Sequence, residues 1–266
     1  VISNPGARYD ASIKAVIRIL TKKVTGEGFG FENRTVVRHR DEYGWSAYNQ
    51  LDLNYRKNGL DLSTMLLTGS YHNGSDLTHL IDTYLDKQWF QKLDLTDQKA
   101  ESKNIETILT LNYQFNETHS IGARYNYKRV PEYLWVANQF AQTYCENLLY
   151  ENLYSVITMN EPETQHRSNF YYNGRVKKMS IDFNADGLWN YTKNTQVAKE
   201  NIEEGVGDET DRSVTTIDKK RNELYAAKLV LSHPLAKGNF SFGAEYSHNK
   251  RNTTYLNPEG IIADEE

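Results

Sequence analysis

The sequence predicts an all-β chain that forms part of a large antiparallel transmembrane β-barrel, and three observations carry that expectation. Apolar and polar residues alternate with a period of two through about nine segments, a pattern that only extended backbone gives. No Lys, Arg, Asp or Glu falls on the apolar parity in mid-segment. The connectors alternate between tight links and long polar stretches, the asymmetry of outer-membrane barrels.

Composition supports a sheet that is wet on one face. Hydrophobic residues make up only 38% of the 266, yet aromatics reach 12% with 19 Tyr, so apolar surface is held in large amphipathic rings. A net charge of -4 and an isoelectric point near 6.0 supply no field that recruits nucleic acid. Cys145 is the sole cysteine, which excludes an intramolecular disulfide and a cysteine-built zinc site. No run approaches the roughly 20 consecutive apolar residues of a membrane helix, and barrel strands need far fewer. Val1-Ile2-Ser3-Asn4 has neither a basic start nor an apolar stretch, so any signal peptide is expected to have been removed.

Taken in order, the chain opens on Asn4-Pro5-Gly6, a turn signal, followed by Ala7-Arg8-Tyr9-Asp10-Ala11-Ser12. Ala15-Val16-Ile17-Arg18-Ile19-Leu20-Thr21 then reads as a short edge strand or as a helix capped by Ser12, closed by Lys22-Lys23. From Gly28, Phe29, Phe31, Thr35 and Val37 alternate with Glu32, Arg34 and Arg38, with Asn33 as an awkward polar residue on the apolar side. Trp45, Ala47, Leu51, Leu53 and Tyr55 repeat the pattern, interrupted by Asn49. Lys57-Asn58-Gly59 is a two-residue hairpin signal, because Asn and Gly tolerate positive φ. Leu60 and Leu62 resume the apolar face, and a slip to Met65, Leu67 and Tyr71 reads as a bulge near Ser63.

Four further segments follow the rule. Ile105, Leu109, Leu111, Tyr113 and Phe115 turn at Asn116-Glu117-Thr118-His119 into Ile121, Ala123, Tyr125 and Tyr127. Tyr225, Ala227, Leu229 and Leu231 return through Pro234–Gly238 as Phe240, Phe242, Ala244 and Tyr246. Between these pairs lies the clearest hairpin. Phe170, Tyr172, Gly174 and Val176 turn at Lys177-Lys178 into Met179, Ile181, Phe183, Ala185, Gly187, Trp189 and Tyr191, with Asp182, Asn184 and Asp186 opposite. Long polar connectors are expected at 73–102, 131–166 and 192–220, and all five prolines are expected outside strands.

The segment Asn4-Pro5-Gly6-Ala7-Arg8-Tyr9-Asp10-Ala11-Ser12, followed by Ala15–Lys23, resembles the end of the plug domain of TonB-dependent outer-membrane receptors, where plug passes into barrel. Ile13 and Lys14 stand where that family usually carries small residues, and Arg18 where it often carries Asn. Residues Arg167–Asp186 look like barrel segments of the same family. The resemblance implies residues 1–23 as the C-terminal end of a plug, with Asn4–Asp10 as the junction motif, and residues 24–266 as the first part of a barrel of 22 strands. It implies residence in the outer membrane of a Gram-negative bacterium and import of a nutrient. The implied partners are the TonB energy-coupling complex, through a segment absent from this chain, outer-membrane lipid, and a surface lipoprotein. Ala263-Asp264-Glu265-Glu266 is not an apolar closing strand, so the chain is expected to be an internal piece.

Chemistry finds few candidates. Glu161, Glu163 and His166 form no anchored metal motif, and Asp182 and Asp186, roughly 13 Å apart along a strand, are too far apart for a two-carboxylate hydrolase. No enzyme activity, metal or cofactor is expected. Leu77, Leu80, Ile81, Tyr84, Leu85 and Trp89 fit a helix or a strand extension. Trp89, Tyr133, Trp135, Phe140, Tyr144 and Tyr150 are the ligand-binding candidates, since aromatic faces in a wet vestibule suit sugars, chelates or apolar ligands. A second reading stays open, in which the apolar faces pair inside a soluble extracellular β-sandwich that binds carbohydrate.

Overall fold

The computed structural model describes residues 2, 3, 15, 16, 26–205, 207, 209–236 and 238–261. Of the opening segment, β1 (Ile2–Ser3) pairs antiparallel with β2 (Ala15–Val16). The junction motif Asn4–Asp10 lies outside the described residues.

The rest is all-β and makes one antiparallel sheet in chain order. Its strands are β3 (Gly28–Arg40), β4 (Gly44–Lys57), β5 (Leu60–Asn73), β6 (Leu77–Tyr84), β7 (Gln88–Asn116), β8 (His119–Cys145), β9 (Leu148–Asn160), β10 (Glu163–Val176), β11 (Met179–Glu204), β12 (Glu209–Leu235) and β13 (Gly238–Leu256). The strand β6 extends the line of β5 along β7. The strands β9 and β10 form a single line, since Asn160 opposes Thr195 and Glu163 opposes Thr192 without a change of register on β11. Nine lines of strand therefore run from edge β3 to edge β13.

Packing joins only strands that are also hydrogen-bonded neighbours, so the described residues build no second layer. No large side chain among them is fully buried, and Phe31, Phe242 and Leu109 on the apolar face are 72%, 60% and 45% exposed. The polar face is the concave one. Arg56 on β4, Asn112 on β7, Tyr171 on β10, Asp182 on β11 and Ser232 on β12 line a single cavity of about 1030 Å³, which a flat sheet could not bring about. Such a sheet is a section of a barrel wall.

The turns correct one expectation. Besides the two-residue links Asn58-Gly59, Glu117-Thr118 and Lys177-Lys178, the opposite end also turns tightly, at Asp41–Tyr43, Leu85–Lys87 and Glu146-Asn147. The long polar connectors are strand, and so is the 77–89 segment, apart from the turn at Leu85–Lys87. With 29 residues in β7, 27 in β8 and 26 in β11, the strands continue far past the tight-turn half. At about 3.3 Å per residue that is roughly 90 Å, against about 9–11 residues for one crossing.

Two further corrections follow from the register. Pairing of β5 with β4 and β7 runs unbroken through Ser63, so the bulge expected there is absent. Leu60, Leu62, Thr64, Leu66 and Thr68 keep the apolar side, opposite Lys57, Tyr55, Leu53, Leu51 and Asn49, and Met65, Leu67 and Tyr71 face the concavity. Two prolines do lie inside strands. Pro234 pairs with Asn239 one step from a turn, and Pro131 sits where the β7–β8 ladder slips. Arg129 faces Ile105 and Glu132 faces Lys103, so Val130-Pro131 together oppose Asn104. A bulge is where a residue without an N–H can be placed in a ladder.

On the outward face two aromatic belts bracket an aliphatic band. Phe29, Phe31, Tyr113, Phe115 and Phe240 lie toward the tight-turn end; Trp45, Tyr125, Trp189, Tyr225 and Tyr246 lie further along. The indole Nε1 of Trp189 donates to Tyr225 Oη at 2.8 Å, and Tyr125 Oη meets His166 Nδ1 at 2.6 Å. The two awkward asparagines satisfy each other. Asn33 Nδ2 donates to Asn49 Oδ1 at 3.2 Å, and Asn49 Nδ2 to Asn33 Oδ1 at 3.1 Å and Thr35 Oγ1 at 2.7 Å. That removes the cost of several kcal/mol that each unpaired group would carry in hydrocarbon.

Asn58 and Gly59 both adopt positive φ, at 49° and 80°, and a Cβ on Gly59 would lie 2.6 Å from the Gln114 carbonyl oxygen. Gly59→Val is expected to destabilise the sheet by about 1–2 kcal/mol, the cost of a left-handed L-residue, before the clash is added. A lowered urea midpoint is the measurement; an unchanged one contradicts this turn geometry.

Candidate functional site

The Pro131 bulge decides where the candidate aromatics point. Before it, Tyr125 and Tyr127 face outward with Leu109 and Thr107; after it, Tyr133 pairs with Ser102 and Trp135 with Ala100, on the concave side. One extra residue in a strand of period two exchanges the faces.

Tyr133 thereby joins a concave pocket of about 420 Å³ with Tyr71, Asn104, Lys128, Glu163 and Thr192. Glu163 is its electrostatic centre. Lys128 Nζ donates to Glu163 Oε2 at 2.7 Å and Asn190 Nδ2 to Glu163 Oε1 at 2.7 Å, tying β8, β10 and β11 across the inner wall. Asn104 Oδ1 is buried there without a hydrogen-bond partner, an acceptor left for something polar that enters. The pocket thus presents two phenols, a cation, the carboxylates of Glu161 and Glu163 and an unused amide oxygen within one wall.

The other aromatics are not gathered into it. Phe140 stacks on Tyr154 with ring centroids 4.7 Å apart, in an outward cleft of about 750 Å³ with Asn138, Lys199, Asn201 and Asp211. Tyr144 packs against Phe90 at 5.9 Å, and Trp89 meets Tyr150 edge-on at 5.1 Å close to the far turns. The six candidates thus divide among the inner wall (Tyr133, Trp135), the outer wall (Phe140, Tyr144) and the tip (Trp89, Tyr150). Glu163 faces in, while His166, three residues on, meets Tyr125 on the outward face. Lys128, Asn104 and Tyr71 were not candidates from sequence, and Glu163 was weighed there only as a metal ligand. Val130-Pro131 in mid-strand was the available signal that the faces exchange.

The wall above the bulge is fastened by polar pairs. At the β6–β7 hairpin Thr78 Oγ1 donates to Asp94 Oδ1 at 2.6 Å and Lys92 Nζ lies 2.8 Å from Asp94 Oδ2. The Lys92 ammonium, with help from Thr78, holds the half-buried Asp94 carboxyl below its usual value of 3.8. A depressed folded value means that this fastening is in place above the usual value and is lost as pH falls through the depressed one. Amide protection in β6, the exchange rate relative to the intrinsic rate at each pH, is therefore expected to hold at pH 4, to fall only below about pH 3.8, and to lose this step in Asp94→Asn. Loss of protection already between pH 6 and 5 would contradict the assignment.

Among solved structures the chain is similar to the crystal structure of the siderophore receptor PiuA from Acinetobacter baumannii, with 10% sequence identity and a TM-score of 0.29, over 88% of this chain and 47% of that one. The chain thus spans about half the length of that protein. No protein-family model matches it, and no curated protein does.

Proposed function

We propose that this chain is a section of a TonB-dependent outer-membrane receptor, which takes up a nutrient at its outer end and passes it inward without breaking a bond in it. The observation that carries the reading is the single-layer sheet, whose apolar face has no cover and is bracketed by two aromatic belts. In water such a face would be a large aggregation surface; in a bilayer it is the ordinary exterior of a barrel. A sandwich needs a second layer, and the described residues do not make one. In this reading residues 1–23 end a plug, further strands continue the wall beyond edges β3 and β13, and the TonB complex acts on a segment outside this chain. The nutrient meets the inner wall at Tyr133 and Trp135, while the strands above the membrane offer the remaining aromatics to it or to a surface lipoprotein.

Ala185 lies in the middle of the outward band, between Phe170 on β10 and Ala227 on β12. Its neighbour Asn184 faces in and accepts from Asn169 at 2.6 Å. In the full-length receptor Ala185→Arg is expected to abolish outer-membrane assembly, costing about 2–4 kcal/mol at the midplane, whereas Asn184→Arg assembles. Fractionation of the two variants checks this. Equal effects, or a wild-type protein found soluble and monomeric without detergent, would sink the receptor reading.

A further inference from the structure

The register lines up the outward side chains of β8, β10, β11, β12 and β13 in successive cross-strand rows. Ala123, Phe170, Ala185, Ala227 and Tyr246 form one row, and Tyr125, Ser168, Gly187, Tyr225 and His248 the next. Small residues in the middle of both rows leave a groove of about 660 Å³, floored by Ala123, Ser168, Ala185 and Gly187 and walled by Phe170 and Trp189. Trp189 folds down over Gly187, where a Cβ would come within 2.7 Å of the indole.

Directly beyond the belt the same face turns basic. Arg129, Arg221, Lys193, Lys219 and Lys250 all take the outward parity there, and Lys193 is directly opposite Lys219 on the neighbouring strand. Like charges set opposite each other in a sheet repel. Glu223 pairs with Arg221 at 2.6 Å, and among the described residues no carboxylate pairs with Lys193, Lys219, Lys250 or Arg129. A groove shaped for hydrocarbon, ending at an aromatic belt under uncompensated cations, matches a molecule with an acyl chain and an anionic head.

We infer that this outward surface binds a phosphorylated lipid of the outer leaflet, its acyl chain in the Ala123–Gly187 groove and its phosphate on Lys193 and Lys219. The inference rests on the membrane-spanning reading and adds a specific lipid seat to it. The anionic head offsets the Lys193–Lys219 repulsion, and the chain fills a depression that the side chains leave open.

The test uses the full-length protein purified in an uncharged detergent and titrated by native mass spectrometry with dioctanoyl phosphatidic acid, dioctanoylglycerol and inorganic phosphate. Phosphatidic acid is expected to bind more tightly than either of the others. Lys193→Gln with Lys219→Gln is expected to weaken it about 25-fold, about fivefold for each cation near a membrane surface. Gly187→Leu, which fills the groove and leaves the cations, is expected to weaken phosphatidic acid and leave phosphate unchanged; Ser168→Leu serves the same purpose if Gly187→Leu fails to assemble. Equal binding of inorganic phosphate and phosphatidic acid, or unchanged affinity in the double lysine variant or in the groove-filling variants, overturns the inference. Wild-type protein that fractionates with the outer membrane yet shows those outcomes sinks the lipid seat alone, whereas a wild-type protein absent from the membrane sinks the receptor reading beneath it.

Discussion

The strands of a single-layer sheet have to satisfy their backbone N–H and C=O groups on one another, and this constraint shapes all the described strands. Antiparallel pairing meets it between neighbouring strands, leaving the side chains divided between an apolar face and a polar one. The alternation of Phe183, Ala185 and Gly187 with Asp182, Asn184 and Asp186 is the direct result. Where the outward face has to carry a polar group, as at Asn33 and Asn49, the group finds its partner on the adjacent strand.

Interior stability comes from the ladder and from inner-wall polar pairs more than from a core. Asn126 donates to Glu106 at 2.7 Å, Tyr171 to Asn112 at 2.8 Å and Arg34 to Gln50 at 2.8 Å, each across a strand boundary. Gly122 lies under the ring of Tyr171, its direct partner on β10, so the aromatic covers the gap that glycine leaves in the sheet. The well-buried Ala137, Ala141, Ile157 and Ala198 are small or aliphatic and lie in the far extension.

Much of the half nearer the tight turns was legible from residues alone, because a period of two with one apolar side leaves little freedom of register. Asn58-Gly59 marked a turn through its tolerance of positive φ and Lys177-Lys178 through the change of parity between its two arms, and both stand where the pattern put them. The extension was hidden by its own polarity. With polar residues on both faces, 192–204 and 209–220 read as loop although they are paired strand throughout. The slip toward Met65 and Leu67 looked like a bulge because large apolar residues stand on the wet side of β5, whereas the true bulge at Pro131 moved Tyr133 and Trp135 to the inner wall. A local pattern reports which residues are greasy, and only the neighbouring strand reports which way they point.

In the receptor proposed above, the paired strands from β7 to β12 beyond the aromatic belts bear on how recognition can change over time. A rim of paired strands is ordered before any visitor arrives, so docking forfeits little chain freedom. The same rim cannot be lengthened or trimmed at will, because each added residue would reverse the facing of everything beyond it, as Pro131 already does once. New preferences on such a palisade are reached by exchanging single side chains rather than by grafting loops.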